Sequence, residues 1–142
     1  MSRYVREAVI KYRRSQVAVP SEPLASPENV YEMIVQGDLL PDGPQERMVA
    51  IAVDVRNNPL GWTIVGVGGL AACPVEPRTV FCFALLLGAS SIFLAHNHPS
   101  GDCTPSPEDV EVTRRMKAAG ELIGIHLLDH LVIGDGNYRS AA

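Results

Sequence analysis

Residues 91–109, SIFLAHNHPSGDCTPSPED, combine an apolar run, two closely spaced histidines and a nearby aspartate. The run 91–95 predicts a buried strand that leads into His96 and His98. Side chains two positions apart on an extended strand project from the same face, so both imidazole rings are expected to point in one direction. Two neutral imidazoles and the carboxylate of Asp109 make a three-ligand site with room for a water, as in catalytic zinc centres. The segment therefore predicts a hydrolytic metal centre at a strand end.

The residues that follow the histidines predict a turn and then a helix. Residues 99–101, Pro-Ser-Gly, are typical of a turn that ends a strand. Ser106 as N-cap and Pro107 at the first helical position place Asp109 in the first turn of the helix, folded back toward the strand end. Alternatively, Ser106 only caps the helix, Asp109 only favours its dipole, and the histidines are polar loop residues. The joint occurrence of these groups favours the metal site, and Ser106 and Asp109 can serve both purposes.

The spacing His-x-His-Pro, six residues, then Ser-x-x-Asp resembles the signature of the JAMM metalloproteins, also called MPN or JAB proteins. The longer stretch 84–136 is similar to the RadC branch of that superfamily. Three features carry this likeness: Asn97 between the histidines, the Ser-Gly pair after Pro99, and the Leu-Leu-Asp-His run that ends at His130. The resemblance covers residues 26–140.

This resemblance implies one zinc ion held by His96, His98 and Asp109, with Ser106 beside the water that the metal activates. It also implies a general base, because the family supplies a glutamate from an upstream strand and the matching position here is Glu46. A carboxylate held against such a water can take its proton. Without the resemblance, Glu46 would be interpreted as an ordinary exposed residue at the start of a strand.

Helices and strands alternate along the chain, which predicts an α/β fold with a central mixed β-sheet flanked by helices. The resemblance implies the same JAB/MPN architecture, which is similar to the cytidine-deaminase fold. We divide the chain into a basic N-terminal arm and linker, residues 1–25, and a single metal-binding domain, residues 26–142. The predicted helices cover residues 26–37, 77–88 and 106–119, and the predicted strands cover residues 46–56, 62–67, 91–98 and 125–133.

Composition is that of a small enzyme or module, with 142 residues of which 46% are hydrophobic. No stretch is long and apolar enough to span a membrane, and the N-terminus lacks the apolar segment of a secretory signal. The three cysteines, Cys73, Cys82 and Cys103, are odd in number and scattered, which indicates reduced thiols and a cytoplasmic location. Cys103 lies between His98 and Asp109, where it is either an extra zinc ligand or, as we favour, an ordinary loop side chain.

The net charge of −4 argues against a surface built to bind nucleic acid. The first fourteen residues are nevertheless basic, since five lysines and arginines face only Glu7: Arg3, Arg6, Lys11, Arg13 and Arg14. This arm could contact phosphates or an acidic partner, or it could be a solvated face. The sequence does not choose between these alternatives.

Two further histidines, His126 and His130, are four residues apart in a predicted strand and are therefore expected to share a face. His130 belongs to the Asp-His pair of the RadC-like stretch and could support a metal ligand or contact a substrate. A hydrogen-bonded structural histidine is the interpretation that we favour. Neither histidine is counted as a zinc ligand.

Several other metal-site classes do not match. The His-x-Glu and Pro-Cys-x-x-Cys pair of zinc deaminases and the His-Glu-x-x-His of zincins are both absent. The leading hypothesis is a JAMM-type zinc hydrolase that cleaves an amide or isopeptide bond of a protein or peptide. The alternative is a RadC-type accessory protein of DNA repair, in which the metal has another role or none. Many RadC-like chains carry a helix-hairpin-helix region before the metal domain, and the shortness of this chain weighs against a direct role on DNA.

Overall fold

A computed structural model describes residues 2–15, 22–68 and 74–142. It confirms the predicted α/β fold, a single domain with a mixed sheet of five strands and helices on both faces. The elements in chain order are α1 (Pro27–Gln36), β1 (Arg47–Val53), β2 (Pro59–Val67), α2 (Pro77–Leu86), β3 (Ser91–Asn97), α3 (Pro107–Ile123), β4 (His126–Ile133) and β5 (Tyr138–Ser140).

The sheet has the strand order β2-β1-β3-β4-β5, so that β3 is the central strand. Only β3 and β4 run parallel, and the other neighbouring pairs are antiparallel. A strand with a neighbour on each side and helices on both faces has to be apolar throughout, and the run from Ser91 to His96 is buried. His96 therefore lies near the end of a strand that is enclosed on both sides, and His98 lies just beyond it.

Two hydrophobic clusters lie on opposite faces of the sheet. One cluster combines Val80 and Phe81 of α2 with Met116 of α3, against the strand residues Ala50 and Leu94. The other packs Val30, Met33 and Ile34 of α1 against Val49, Ile51 and Phe93. By the alternation of side chains along β3, His96 faces the same side of the sheet as Leu94. The face covered by α2 and α3 is thus the face that carries the candidate site.

Strands β1 and β2 form a hairpin whose turn covers residues 54–58, three positions before the interval 57–61 between the two predicted strands. Strand β1 ends at Val53, because the carboxylate of Asp54 accepts hydrogen bonds from the backbone N–H groups of Arg56 and Asn58 and folds the chain back. Asn57 adopts a positive φ of 62° in this turn. Pairing resumes between Val53 and Pro59, so β2 begins at Pro59 and not at Trp62.

Helix α3 is also longer than predicted and continues past Ala119 to Ile123. Gly120 does not end it, because a glycine inside a helix costs only about 1 kcal/mol. The helix ends where Gly124 takes the left-handed conformation, with φ of 89°. Gly120 instead allows a close approach, since a Cβ atom on it would lie 2.3 Å from the carbonyl oxygen of Ile125.

We expect Gly120→Ala to lower the free energy of unfolding by about 1–3 kcal/mol, because the methyl group would collide with backbone that has little room to move. Helix propensity alone predicts the opposite, a more stable protein, since alanine is the better helix former. Urea unfolding followed by circular dichroism would measure the change. Gly43→Ala is the matched control, because nothing lies within 4 Å of its added Cβ atom. Equal unfolding midpoints for Gly120→Ala and the wild type would contradict the expectation.

The prediction that His126 and His130 share a face is wrong. Against β3, strand β4 skips Leu128, because Ile92 pairs with Leu127 whereas the next residue, Phe93, pairs with Asp129. This bulge shifts the alternation of side chains by one position. His126 is therefore exposed and His130 is fully buried. The short strand β5, which was not predicted, pairs with the end of β4.

The N-terminal arm, residues 2–15, contains neither helix nor strand and is exposed to solvent. It touches the domain at the outer strand and at α2, where the Tyr12 hydroxyl donates to the carbonyl oxygen of Leu86 at 2.5 Å and the Trp62 indole donates to the Ser15 hydroxyl at 3.3 Å. Most of the predicted linker and Cys73 lie outside the described residues. Among the described residues, none of the helices has the length and apolar character needed to cross a membrane.

Candidate metal centre

The end of β3 positions the two histidines. His96 pairs with Met48 of β1 on one side and with Val132 of β4 on the other, so its backbone is held from both sides. His98 lies just beyond the strand, and its backbone N–H still donates to the carbonyl oxygen of Ile133 at 2.9 Å. The chain therefore stays extended through both histidines, and their rings come within 4.9 Å of each other between centroids.

The start of α3 brings Asp109 to the same place. The Ser106 side chain accepts a hydrogen bond from the Asp109 backbone N–H at 3.1 Å, and the Asp109 carboxylate accepts from the Ser106 backbone N–H at 2.7 Å. This reciprocal pair is a capping box, with Pro107 in the first turn as predicted. The cap fixes the carboxylate at the N-terminus of the helix, where its other lone pairs face the strand end.

Two ring nitrogens and the two oxygens of one carboxylate converge there. The distance between the Nε2 atoms of His96 and His98 is 3.0 Å, that from His96 Nε2 to Asp109 Oδ1 is 3.0 Å, and that from His98 Nε2 to Asp109 Oδ2 is 3.1 Å. Ligands of a tetrahedral zinc ion at its usual bond lengths lie about 3.3 Å apart. Among the described residues, these three side chains form the group able to hold a metal ion.

The hydrogen-bond partners of His98 test whether a cation fits this group. Its Nδ1 atom lies 2.8 Å from the carbonyl oxygen of Asp102, which can only accept, so Nδ1 carries the proton. In a neutral ring, Nε2 is then a lone-pair acceptor that faces a carboxylate oxygen of Asp109. Two acceptors at this distance repel each other unless a cation or an extra proton lies between them. The donor set therefore fits a divalent cation.

The carboxylate of Asp109 is ionised over the ordinary pH range. Partial burial raises its pKa, but the neighbouring His96 ring and the backbone N–H and hydroxyl of Ser106 more than offset that effect. The net result is a pKa well below the usual range of aspartate. A negative charge is thus maintained at the point where the two rings meet.

Glu46 lies immediately before β1, two residues before the Met48 that pairs with His96, and its carbonyl oxygen accepts from the Gly68 N–H at 2.8 Å. By alternation it is placed on the same face of the sheet as the histidines. Its backbone is held by Asn97, whose side-chain oxygen accepts from the Arg47 N–H at 2.8 Å and whose side-chain amide donates to the Gln45 carbonyl at 3.1 Å. Glu46 is half-buried and is not one of the three converging residues.

Comparison with known proteins shows the family of this chain. A family described as the RadC-like JAB domain matches residues 24–142. The chain belongs to the RadC-like JAB domain family. A relative from Methanosarcina acetivorans, named "UPF0758 protein", is 40% identical over 124 residues, which are 87% of this chain and 53% of that protein.

Two further relatives of this RadC-like JAB domain carry the same name. The one from Desulforamulus reducens is 37% identical over 137 residues, 94% of this chain and 60% of its own. The one from Pelobacter propionicus is 46% identical over 101 residues, 71% of this chain and 44% of its own. The chain thus spans about half the length of the curated relatives that it matches.

Other predicted residues of the RadC-like JAB domain occupy different positions. Cys103 is buried at 5% exposure and does not join the group of possible metal ligands, in agreement with the favoured interpretation of a loop side chain. His130 is buried beside His96, with 2.8 Å between its Nε2 and the Nδ1 of His96. Burial lowers the pKa of His130 to about 3, so that its ring is neutral.

Sequence reasoning missed two side chains of this region. Asn97 was noted only as a family marker, although it ties the end of β3 to both neighbours of Glu46. Thr113 was not singled out, yet its hydroxyl contacts the ring of His130. The available signal was a hydroxyl on the buried face of a helix, one turn after a candidate ligand, because buried polar groups require partners.

Proposed function

We propose that this chain is a zinc-dependent hydrolase of the JAMM type that cleaves an amide or isopeptide bond in a protein or peptide. The observation that carries the proposal is the convergence of His96, His98 and Asp109, whose ring nitrogens lie 3.0 Å apart and each within 3.0–3.1 Å of one carboxylate oxygen. Membership of the RadC-like JAB domain family supports it. One zinc ion bound there would polarise the scissile carbonyl and lower the pKa of a bound water to about 7.

The residues of this chain supply the proton transfers. Glu46, on the face of the histidines, would accept a proton as the water oxygen attacks the carbonyl carbon, and would then deliver it to the leaving amine nitrogen. The carbon–nitrogen bond breaks in this second step and yields a carboxylic acid and an amine. Asn97 would hold Glu46 in place through the two backbone groups on either side of it.

Ser106 has a hydroxyl proton available for the transition state. Its oxygen accepts from the Asp109 N–H, and its O–H, which otherwise donates to the Asp109 carboxylate, would donate toward the substrate when a zinc ion occupies that carboxylate. A donor aimed at the oxygen on which negative charge develops contributes to catalysis because it is already oriented. We infer that Ser106 stabilises the oxyanion while it caps α3.

The scattered free thiols Cys82 and Cys103 support a cytoplasmic location for this reaction.

Metal analysis combined with a substrate library tests the proposal. The purified chain, stripped with a chelator, should take up one zinc ion, and only the zinc-loaded protein should cleave members of a library of peptides and lysine-linked isopeptides. Mass spectrometry would detect the products, and a second chelator treatment should abolish cleavage. A chain that binds no zinc, or that cleaves equally well after stripping, would overturn the proposal. So would a zinc-loaded chain that cleaves no member of the library.

A further inference from the structure

His130 is the one fully buried histidine among the described residues that is not itself placed at the converging group. Both of its ring nitrogens have partners, with Nε2 at 2.8 Å from His96 Nδ1 and Nδ1 at 2.7 Å from Thr113 Oγ1. Strand pairing places it directly beside Leu94, two residues before His96. Each contact lies within hydrogen-bond distance, so the direction of each proton can be worked out from the partner groups.

The hydroxyl of Thr113 determines the direction of its hydrogen bond with His130. Its oxygen lies 2.8 Å from the carbonyl oxygen of Asp109, one turn earlier in α3. A carbonyl oxygen can only accept, so the single hydroxyl proton of Thr113 is donated there. The Thr113 oxygen can then only accept from His130, which means that Nδ1 of His130 carries the proton. In this neutral ring, Nε2 is a lone-pair acceptor.

The same reasoning determines which ring nitrogen of His96 carries the proton. Its Nδ1 atom faces the Nε2 acceptor of His130, so it must carry a proton and donate it. The remaining nitrogen of His96, Nε2, then presents a lone pair to the converging group. We propose that His130 and Thr113 are positioning residues that hold His96 in the one tautomer and ring orientation that can bind a metal ion.

This arrangement makes α3 contribute twice to the centre. The helix supplies the Asp109 carboxylate from its first turn and, one turn later, the Thr113 hydroxyl that orients the chain of hydrogen bonds through His130 to His96. The bulge at Leu128 is what turns His130 inward to receive that hydroxyl. Groups that orient metal-binding histidines typically change metal affinity by about 10–100-fold when they are removed. The inference rests on the metal centre of the proposed function, but not on hydrolysis.

Four variants separate this role from simple packing. His130→Leu removes the acceptor at similar size, whereas His130→Gln retains an acceptor near the position of Nε2. Thr113→Val replaces the hydroxyl with a methyl group, and Thr113→Ser keeps it. Zinc dissociation constants, measured by competition with a chelator, should rise about 10–100-fold for His130→Leu and Thr113→Val. The Gln and Ser variants should restore binding to within about fivefold of the wild type, on the same scale.

Nitrogen NMR of the ¹⁵N-labelled, zinc-loaded wild type gives a second readout that packing alone does not move. We expect a coupling across the hydrogen bond between His96 Nδ1 and His130 Nε2, with the proton on His96, and its loss in Thr113→Val. A proton found on His130 Nε2 would overturn the inference. So would zinc binding within twofold of the wild type in both folded variants, His130→Leu and Thr113→Val.

If His130→Leu does not fold, Thr113→Val decides alone, because it leaves the ring in place. Failure of the wild type to bind zinc would overturn this inference together with the proposed function. Strong zinc binding that all four variants share would overturn only the roles of His130 and Thr113. The two failures are therefore distinguishable.

Discussion

Replacing Asp109 with asparagine should weaken zinc binding by at least about 1000-fold, because Asp109 is itself a proposed ligand. Removal of a group that only orients a ligand already weakens metal binding by about 10–100-fold. The change removes the negative charge that faces two lone-pair nitrogens. It should leave the fold nearly as stable as the wild type, since the asparagine oxygen can still accept from the Ser106 N–H at the start of α3. Competition with a chelator would measure zinc affinity, and urea unfolding of the zinc-free protein would measure stability.

Two variants control for this prediction. Asp102→Asn removes an equal charge from the same loop but keeps the backbone carbonyl that accepts from His98, so zinc affinity should be unchanged. Asp109→Ala should lose zinc binding and also about 1 kcal/mol of stability, because the hydrogen bond from the Ser106 N–H to the Asp109 carboxylate is lost as well. Zinc affinity for Asp109→Asn within tenfold of the wild type would exclude this carboxylate as a ligand.

The second large effect concerns Glu46. Glu46→Gln should reduce kcat by at least about 100-fold, because proton transfer by a positioned carboxylate contributes roughly 10²–10⁴-fold. Zinc affinity should stay within twofold of the wild type, since Glu46 is not one of the converging residues. Steady-state kinetics on the peptide that the library shows to be cleaved fastest would measure kcat, with bound zinc measured on the same samples.

Glu121→Gln is the control, because Glu121 is an exposed glutamate near the far end of α3. Its kcat should equal that of the wild type. Asn97→Ala should also lower kcat with zinc retained, because it releases the backbone on both sides of Glu46. Full activity of zinc-loaded Glu46→Gln would remove Glu46 from the proposed reaction and leave the metal centre untouched.

The features that local rules govern could be predicted from the sequence. Ser106 and Pro107 predicted the start of α3, and the apolar run before His96 predicted the central strand β3. The spacing of two between the histidines was enough to put both rings on one side. Each of these predictions depends on residues within about one helical turn of each other, where backbone geometry is nearly fixed.

The remaining features depend on contacts between distant parts of the chain. Gly120 lies inside α3 and has a packing role, the close approach of the Ile125 backbone, which the sequence does not reveal. The bulge at Leu128 reverses the expected orientation of His126 relative to His130, and a bulge depends on the partner strand. The contacts of Asn97 with Gln45 and Arg47 join residues about fifty positions apart. No local pattern predicts them.

The converging side chains come from two different layers, the sheet and the helix that covers it. A cation held between them would fasten the amino end of α3 to β3, in addition to the packing of Met116 further along. A ligand that binds only the folded state adds about 2.7 kcal/mol at a hundredfold excess over its dissociation constant. Metal loading should therefore raise the melting temperature and slow amide hydrogen exchange in the first turn of α3. Availability of the ion would then govern the lifetime of the folded domain, as well as the activity proposed for it.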